Sequence, residues 1–224
     1  PDIFDLSRDI DASRCEYLMK TGAIRHVRDA FEEQLRELFA IQHPPLAFTG
    51  HFEDDFEQYR RARLAEFGSS SRDGRWVYFP WNGELVHMLG AQENYLLRTN
   101  RNRNLITSEE QERLRQATVG IVGLSVGSGV ATTMAYSGVG STYKIAEFDT
   151  LETTNLNRIR TRLSKIGHSK MSLVAEQIYE IDPFVCIEPF QTGLTKEVLD
   201  AFVCVEPRPK IIFEIIDSFE MIYI

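Results

Sequence analysis

The sequence predicts an α/β fold with a Rossmann-like, doubly wound and mostly parallel sheet, preceded by a smaller α+β region. From residue 118 onward, short apolar runs alternate with segments of helical periodicity, which is the order of a parallel sheet with crossover helices. The apolar run at 118–122 enters a loop of small residues, Gly123 to Ser128, that opens a helix. Residues 1–95 lack this alternation and carry a hairpin signal instead.

The change in pattern divides the chain into two predicted regions. Residues 1–95 form an N-terminal accessory region, and residues 96–224 form a nucleotide-binding domain. The run from Ile211 to Asp217 has the character of a buried strand, and residues 219–224 remain mostly apolar. Because a domain rarely stops on such a run, we expect this domain to be C-terminally incomplete at Ile224.

In the N-terminal region, residues 13–39 have apolar side chains at helical spacing and predict one helix. A charge-rich segment at 51–67 with a narrow apolar face predicts a second helix. The aromatic run at 76–81 and the apolar run at 84–89 flank the turn signal Asn82-Gly83. This arrangement predicts a β-hairpin.

In the second region, a helix is expected to start at Ser108, with Thr107 or Ser108 as its N-cap. Asp182-Pro183 marks the end of a later helix. The predicted strands are 118–122, 143–148, 186–190 and 211–216, and the predicted helices between them are 127–136, 171–181 and 195–202.

Composition limits the classes of function. With 224 residues and 43% hydrophobic content, the chain can bury a sizeable core. Its net charge of −8 argues against a general nucleic-acid binder, which needs a basic surface. Its apolar runs fall short of the roughly 20 residues that span a bilayer, and the acidic N-terminus does not resemble a signal peptide. The three cysteines show no CxxC pairing, which fits a reduced protein. Taken with the short apolar runs, this leads us to expect a cytoplasmic protein without membrane contact.

A candidate nucleotide site begins at the small-residue loop. Gly123, Ser125, Gly127 and Ser128 lie where a strand passes into a helix, and a helix N-terminus favours phosphate. Glu147 lies 20 positions after Gly127, at the end of the second strand, where a ribose acceptor is expected.

Three polar residues downstream add what a plain dinucleotide site does not need. Asn155, Arg158 and Lys170 offer one amide and two cations on the segment that leaves the second strand. Fixed cations stabilise negative charge that develops on phosphates in a reaction. The set therefore favours chemistry at the phosphates over hydride transfer.

From about Arg98 to Ser218, roughly half of the chain, the sequence resembles the ubiquitin-activating-enzyme-like family, typified by the bacterial ThiF, MoeB and HesA adenylyltransferases. The resemblance rests on the order and spacing of several short motifs. These are Arg98 with Arg101, Gly123 to Ser128, Gly138-Val139-Gly140, Glu147 with Asp149, Asn155-Leu156-Asn157-Arg158, Gly167 with Lys170, and Asp217-Ser218.

The resemblance implies an ATP-dependent adenylyltransferase that uses ATP and Mg²⁺. Its substrate would be the C-terminal carboxylate of a ubiquitin-like or sulfur-carrier protein or peptide. Arg158 and Lys170 would be the phosphate cations, with Asn155 bridging phosphate and backbone and Asp149 in a secondary role at the nucleotide. Asp217 would bind magnesium, and Arg101 would reach the γ-phosphate, often from the partner subunit of a homodimer.

The chain departs from the family pattern within the loop and at the first acid. The loop is one residue shorter than the usual G-x-G-G-x-G-S and lacks its central glycine pair, with Ser125 and Val126 in that place. Ser125 can offer a hydroxyl to phosphate. Glu147 stands where Asp is usual, and either acid can accept from ribose hydroxyls.

Three alternatives remain open. A nucleotide-dependent oxidoreductase explains the loop and Glu147 but gives no role to Arg158 and Lys170 together. A branch of the family adenylates a modified tRNA base, and the acidic charge counts mildly against it. A non-catalytic ThiF-fold scaffold is compatible with the altered loop.

Overall fold

The computed structural model describes residues 1–46 and 49–216, and the chain divides after Arg101 into two compact units. The predicted boundary after residue 95 lies within a helix, Ala91–Thr99, whereas the two units divide after Arg101. Asp217, predicted as the magnesium ligand, lies outside the described residues.

The N-terminal unit is an α+β structure with a mixed four-stranded sheet in the order β1 (Asp2–Phe4), β3 (Arg75–Phe79), β4 (Glu84–Met88) and β2 (His26–Asp29). Strands β3 and β4 pair antiparallel around Asn82-Gly83, which confirms the predicted hairpin. The helix predicted at 51–67 is also present. The elements are β1 (Asp2–Phe4), α1 (Asp9–Lys20), β2 (His26–Asp29), α2 (Phe31–Gln42), α3 (Phe52–Phe67), β3 (Arg75–Phe79), β4 (Glu84–Met88) and α4 (Ala91–Thr99).

The single helix predicted over residues 13–39 is wrong. Helix α1 ends at Lys20, Gly22 turns the chain with a φ of 74°, and strand β2 precedes α2. Strand β2 is an exposed edge strand that pairs parallel to β4 through its backbone. Its side chains are not buried, so the segment has no strand-like alternation that distinguishes it from a helix.

The second unit contains a four-stranded parallel sheet in the order β7 (Cys186–Phe190), β6 (Thr142–Ala146), β5 (Thr118–Val122) and β8 (Ile211–Glu214). This order, with helices between the strands, confirms the predicted Rossmann-like sheet. The elements are α5 (Ser108–Arg115), β5 (Thr118–Val122), α6 (Gly127–Tyr136), β6 (Thr142–Ala146), α7 (Lys170–Ile181), β7 (Cys186–Phe190), α8 (Lys196–Val203) and β8 (Ile211–Glu214).

Helices cover both faces of this sheet. On one face, Ile121 and Ile145 pack with apolar side chains of α6 and α7. On the other face, Phe202 of α8 packs with Val122 and Ala146. Side chains on a strand alternate between faces, so neighbouring residues of β5 serve opposite cores. The sheet is therefore doubly wound, and its carboxyl edge is left open between the helices.

The helix that leads into β5 begins as its sequence predicts. Thr107 is the N-cap of α5, and its hydroxyl accepts a hydrogen bond from the backbone N–H of Glu110. The Glu110 carboxylate accepts in turn from the Thr107 N–H, which completes a capping box. None of the helices in the described part of the chain has the length and hydrophobicity needed to cross a bilayer.

Candidate functional site

A cavity of about 310 Å³ lies at the carboxyl edge of the parallel sheet. It is lined by the segments that follow β5, β6, β7 and β8, together with Lys170 at the start of α7. In open α/β sheets, ligands bind outside the carboxyl ends of the strands where the strand order reverses, which here is between β5 and β8. The volume is at the lower end of the range for small-molecule pockets.

Gly123 lets the loop after β5 turn sharply at the floor of this cavity. Its φ is 88°, and a Cβ there would lie 2.7 Å from the carbonyl oxygen of Ile215. Its backbone N–H donates to the carbonyl of Ala146 at 3.0 Å. A side chain would meet both a backbone clash and an unfavourable dihedral, so glycine is required at this position.

The loop then passes directly into α6. Gly127 begins the helix, and a Cβ on it would be 3.2 Å from the Ile121 side chain. The Ser128 hydroxyl donates to the carbonyl oxygen of Ser125 at 3.1 Å and holds the loop against the first turn. Val126 is the N-cap and provides no side-chain acceptor. The first N–H groups of α6 are thus not capped by a side chain, as an anion site requires.

Glu147 anchors this loop. Its buried carboxylate accepts from three backbone N–H groups, those of Leu124 at 2.7 Å, Phe148 at 2.8 Å and Asp149 at 2.9 Å. The bond to Leu124 joins the end of β6 to the loop after β5. Oε2 accepts only that one bond among the described residues, and a carboxylate oxygen has two acceptor positions. One acceptor position on Glu147 Oε2 therefore remains open to a further donor.

Lys170 and Asp149 form an ion pair at the cavity wall. The Lys170 Nζ lies 2.9 Å from Asp149 Oδ2, and the two side chains are 7% and 52% exposed. The backbone N–H of Lys170 also donates to the Asp149 carbonyl at 3.0 Å. A buried ammonium is thus held beside the cavity by a carboxylate that water can reach.

Asn155 and Arg158 lie on the segment between β6 and α7. The buried Asn155 amide oxygen accepts from the Glu152 N–H at 3.0 Å and so shapes its own turn. The exposed Arg158 donates through Nε to the Ser125 hydroxyl oxygen at 2.6 Å. Arg158 therefore reaches the loop through Ser125, while Asn155 organises the segment that carries Arg158.

The structure brings most of the predicted site residues to one edge of the sheet. Gly123, Ser125, Glu147, Asp149 and Lys170 line the cavity. Gly127 and Ser128 lie in the first turn of α6 behind the loop. Arg101 is exposed in the last residues of the N-terminal unit, in the 3₁₀ segment Asn100–Asn104.

The sequence analysis missed the wall formed by the segment 192–195 and Phe148. The Phe148 side chain is 72% exposed, and a Cβ on Gly193 would lie 2.8 Å from its ring. Gly193 has a φ of 75°, so it permits both the turn and the close approach of the ring. The position of this segment just after β7, at the same carboxyl edge, was the available signal.

The arrangement suits a ligand that carries several negative charges and hydroxyl groups. The cavity combines an ammonium, a loop that enters a helix N-terminus, and acceptor oxygens on Glu147 and Asp149. Across residues 1–46 and 49–216, no group of three or more His, Cys, Asp and Glu side chains is arranged to hold a metal ion.

The parallel sheet with its small-residue loop at the switch point defines a Rossmann-like α/β domain. The sequence model of the ThiF family matches residues 99–224, which is more than half of the chain. The chain therefore belongs to the ThiF family, which confirms the resemblance found in its motifs.

Several curated proteins share this part of the chain. The uncharacterized protein MT1398 of Mycobacterium tuberculosis is 40% identical over 126 residues, which are 56% of this chain and 18% of that protein. Ubiquitin-like modifier-activating enzyme 5 of Arabidopsis thaliana is 33% identical over 139 residues, 61% of this chain and 27% of that protein. The tRNA threonylcarbamoyladenosine dehydratase of Bacillus subtilis is 34% identical over 102 residues, 43% of this chain and 40% of that protein. The chain thus spans less than half the length of each relative.

Solved structures show the same fold. The Escherichia coli tRNA N6-threonylcarbamoyladenosine dehydratase in complex with ATP matches with a TM-score of 0.51 and 22% identity. The match covers 55% of this chain and 50% of that one. It supports the architecture of the parallel sheet and its helices.

Proposed function

We propose that this chain carries the nucleotide site of an ATP-dependent adenylyltransferase. The observation that carries the proposal is the buried Lys170 ammonium at the wall of a cavity beside the loop that opens α6. A hydride-transfer site has no need of that cation together with Arg158. Membership of the ThiF family and the relative called ubiquitin-like modifier-activating enzyme 5 support the same chemistry.

In the proposed complex, the ATP phosphates lie near the N-terminus of α6, within reach of Lys170 and Arg158. A substrate carboxylate oxygen forms a bond to the α-phosphorus, and the bond between that phosphorus and the bridging oxygen breaks. Pyrophosphate leaves with the electron pair. Lys170 acts as a point charge and Arg158 can hold two oxygens, so both stabilise the charge that grows on the leaving group.

We expect Lys170 to exchange its partner Asp149 for phosphate when ATP binds. When phosphate enters, the ammonium can exchange Asp149 Oδ2 for a phosphate oxygen, since both residues line the cavity. The Asp149 carboxylate then becomes available as an acceptor for a ribose hydroxyl, beside the open position on Glu147 Oε2. Both acids would hold the sugar while the cation holds the phosphates.

Magnesium and a second subunit complete the proposal, on the basis of the family resemblance. Bound magnesium would neutralise phosphate oxygens, and Asp217 is the proposed carboxylate ligand. Arg101 is proposed to reach the γ-phosphate in a homodimer, where two-fold symmetry would supply it to both sites.

The proposed substrate is the C-terminal carboxylate of a ubiquitin-like or sulfur-carrier protein or peptide. A second candidate is a modified tRNA base, because one relative is called tRNA threonylcarbamoyladenosine dehydratase. The net charge of −8 favours the protein or peptide substrate.

The test is ATP–pyrophosphate isotope exchange by the full-length protein with Mg²⁺. Ubiquitin-like proteins ending in Gly-Gly, short peptides and threonylcarbamoylated tRNA are added separately. We expect exchange that depends on a free C-terminal carboxylate and is lost when that terminus is amidated. Exchange that requires tRNA would favour the second candidate. ATP binding without exchange in any mixture would indicate a scaffold, and tight NAD binding without ATP binding would indicate an oxidoreductase.

A further inference from the structure

The Ser125 side chain holds a defined place between the loop and Arg158. Its hydroxyl oxygen accepts from Arg158 Nε at 2.6 Å, and its backbone carbonyl accepts from the Ser128 hydroxyl at 3.1 Å. The residue also lines the cavity. Ser125 is therefore held to the first turn of α6 through its backbone carbonyl and to the Arg158 guanidinium through its hydroxyl.

The remaining hydrogen bonds of Arg158 are local. Nη1 donates to the Asn157 side chain at 2.9 Å and to the Thr154 carbonyl at 3.3 Å, both on its own segment. Within the described residues, the bond to Ser125 is thus the one that ties the guanidinium to the loop. Nη2 makes no hydrogen bond to the described part of the chain, so it is available to a ligand.

A purely structural role does not account for Ser125. The N-cap of α6 is Val126, and no side chain caps that helix, so the Ser125 hydroxyl does not serve as a helix cap. Arg158 is exposed, and a hydrogen bond between groups that water can reach adds little to folding stability. The contact restricts the rotamers of a long side chain beside a residue that lines the cavity, which matters most for a ligand that needs this cation in place.

We propose that Ser125 is a positioning residue that holds Arg158 over the phosphates of bound ATP. This inference rests on the proposed function. The Ser125 hydroxyl oxygen accepts from Nε and so holds the guanidinium from the loop side, while Nη2 stays open to a phosphate oxygen. The loop of this chain thus uses a side chain, at a place where the family pattern has a glycine, to fix a cation.

The test compares the binding of ATP·Mg²⁺ with that of adenosine, which has no phosphate, by calorimetry. The full chain is measured as wild type, Ser125→Ala, Ser125→Thr, Arg158→Ala and the Ser125→Ala/Arg158→Ala double variant. We expect Ser125→Ala and Arg158→Ala each to weaken ATP about tenfold while adenosine affinity is unchanged. Ser125→Thr keeps the hydroxyl and should bind ATP like the wild type.

Coupling between the two residues is the decisive result. If Ser125 acts through Arg158, the double variant should bind ATP no more weakly than Arg158→Ala alone. Ser137→Ala, an exposed serine at the other end of α6, is the matched control and should change neither affinity. Additive losses in the double variant, or equal losses of ATP and adenosine, would overturn this inference alone. No ATP binding by the wild type would overturn the proposed function and this inference with it.

Discussion

Buried charged side chains have different surroundings in the two units of the molecule. In the N-terminal unit, Arg63 donates to both oxygens of Asp73 at 2.6 Å and to Glu93 at 2.5 Å. The Asp73 side chain is only 4% exposed and Glu93 is 30% exposed, and the network is closed in the sense that all of its partners are side chains of the folded unit. In the second unit, the buried Lys170 has a half-exposed partner, Asp149, at a cavity wall.

The closed network around Arg63 and the ion pair of Lys170 with Asp149, which is open to a cavity, imply different roles. Hydrogen bonds from Arg63 to Asp73 raise the pKa of the guanidinium, against the effect of its burial. Every partner in that network belongs to the folded chain, so the charges serve structure. Lys170 instead lines a cavity that a ligand can fill, and its partner Asp149 is half exposed to water.

Lys144 shows that burial alone does not mark a site. This lysine on β6 is almost fully buried and donates to the carbonyl of Ala201 at 3.0 Å, in the last turn of α8, and to that of Val205 at 2.7 Å, just past the helix. A cation is favourable there because helix carbonyls lack partners at that end. Lys144 is therefore a structural counterpart to Lys170 within the same unit.

The largest expected effect comes from breaking the closed network. Arg63→Met keeps an apolar stem but leaves the Asp73 carboxylate buried without its cation, and should cost about 3–5 kcal/mol of unfolding free energy. Urea denaturation of the full chain measures it. Arg61→Met on the same helix removes only an exposed pair with Glu57 and should cost less than about 1 kcal/mol. Similar losses in both variants would show that Arg63 is no more structural than a surface arginine.

The second-largest effect is expected when Lys170 is removed from its ion pair with Asp149. Lys170→Ala should slow pyrophosphate exchange roughly 100- to 1,000-fold, equivalent to about 2.7–4 kcal/mol of barrier, by analogy with the removal of an oxyanion donor. Stability should change little because water can solvate the half-exposed Asp149 that is left.

Lys144→Met is the matched control for that experiment. It should lower the free energy of unfolding, because helix carbonyls lose their donor, but leave the affinity for ATP near that of the wild type. If Lys170→Ala unfolds the protein while its exchange rate per folded molecule is unchanged, Lys170 is structural and the contrast between the two lysines fails.

The parallel sheet could be predicted because its strands are short apolar runs that alternate with helices, and some helices carry their own boundary signal, as at Asp182-Pro183. Strand β2 could not, because backbone pairing to β4 stabilises it and its side chains stay exposed. Strand pairing of this kind depends on residues far apart in the chain, which local periodicity does not record.

The residues of the candidate site could be predicted from the sequence, but most of the contacts between them could not. The spacing from Gly127 identified Glu147, but its bond to the Leu124 N–H joins residues 23 apart and follows only from the folded loop. Likewise, Ser125 was expected to meet phosphate, and its bond to Arg158 depends on where the segment after β6 turns back. The role of Asp217 stays a prediction.

The smallest expected effect comes from shortening the acid that anchors the loop. Glu147→Asp keeps the charge and can keep the bonds to the Phe148 and Asp149 N–H groups of its own turn. One methylene less should break the 2.7 Å bond to Leu124, whose N–H is buried and would be left without an acceptor. The expected cost is about 1–3 kcal/mol of unfolding free energy.

This variant also tests whether the shorter loop of this chain requires glutamate, rather than aspartate, at position 147. Hydrogen exchange at the Leu124 amide should quicken in Glu147→Asp, and the affinity for ATP should fall, because the loop that opens α6 loses its tie to β6. Glu188→Asp is the control, since Glu188 on β7 is partly exposed and 3.6 Å from Lys144, and its effect should stay within about 0.5 kcal/mol. Unchanged exchange at Leu124 in Glu147→Asp would mean that the shorter acid still reaches the loop. The glutamate would then be interchangeable with aspartate, and the second unit would hold its loop by backbone contacts such as that of Gly123 with Ala146.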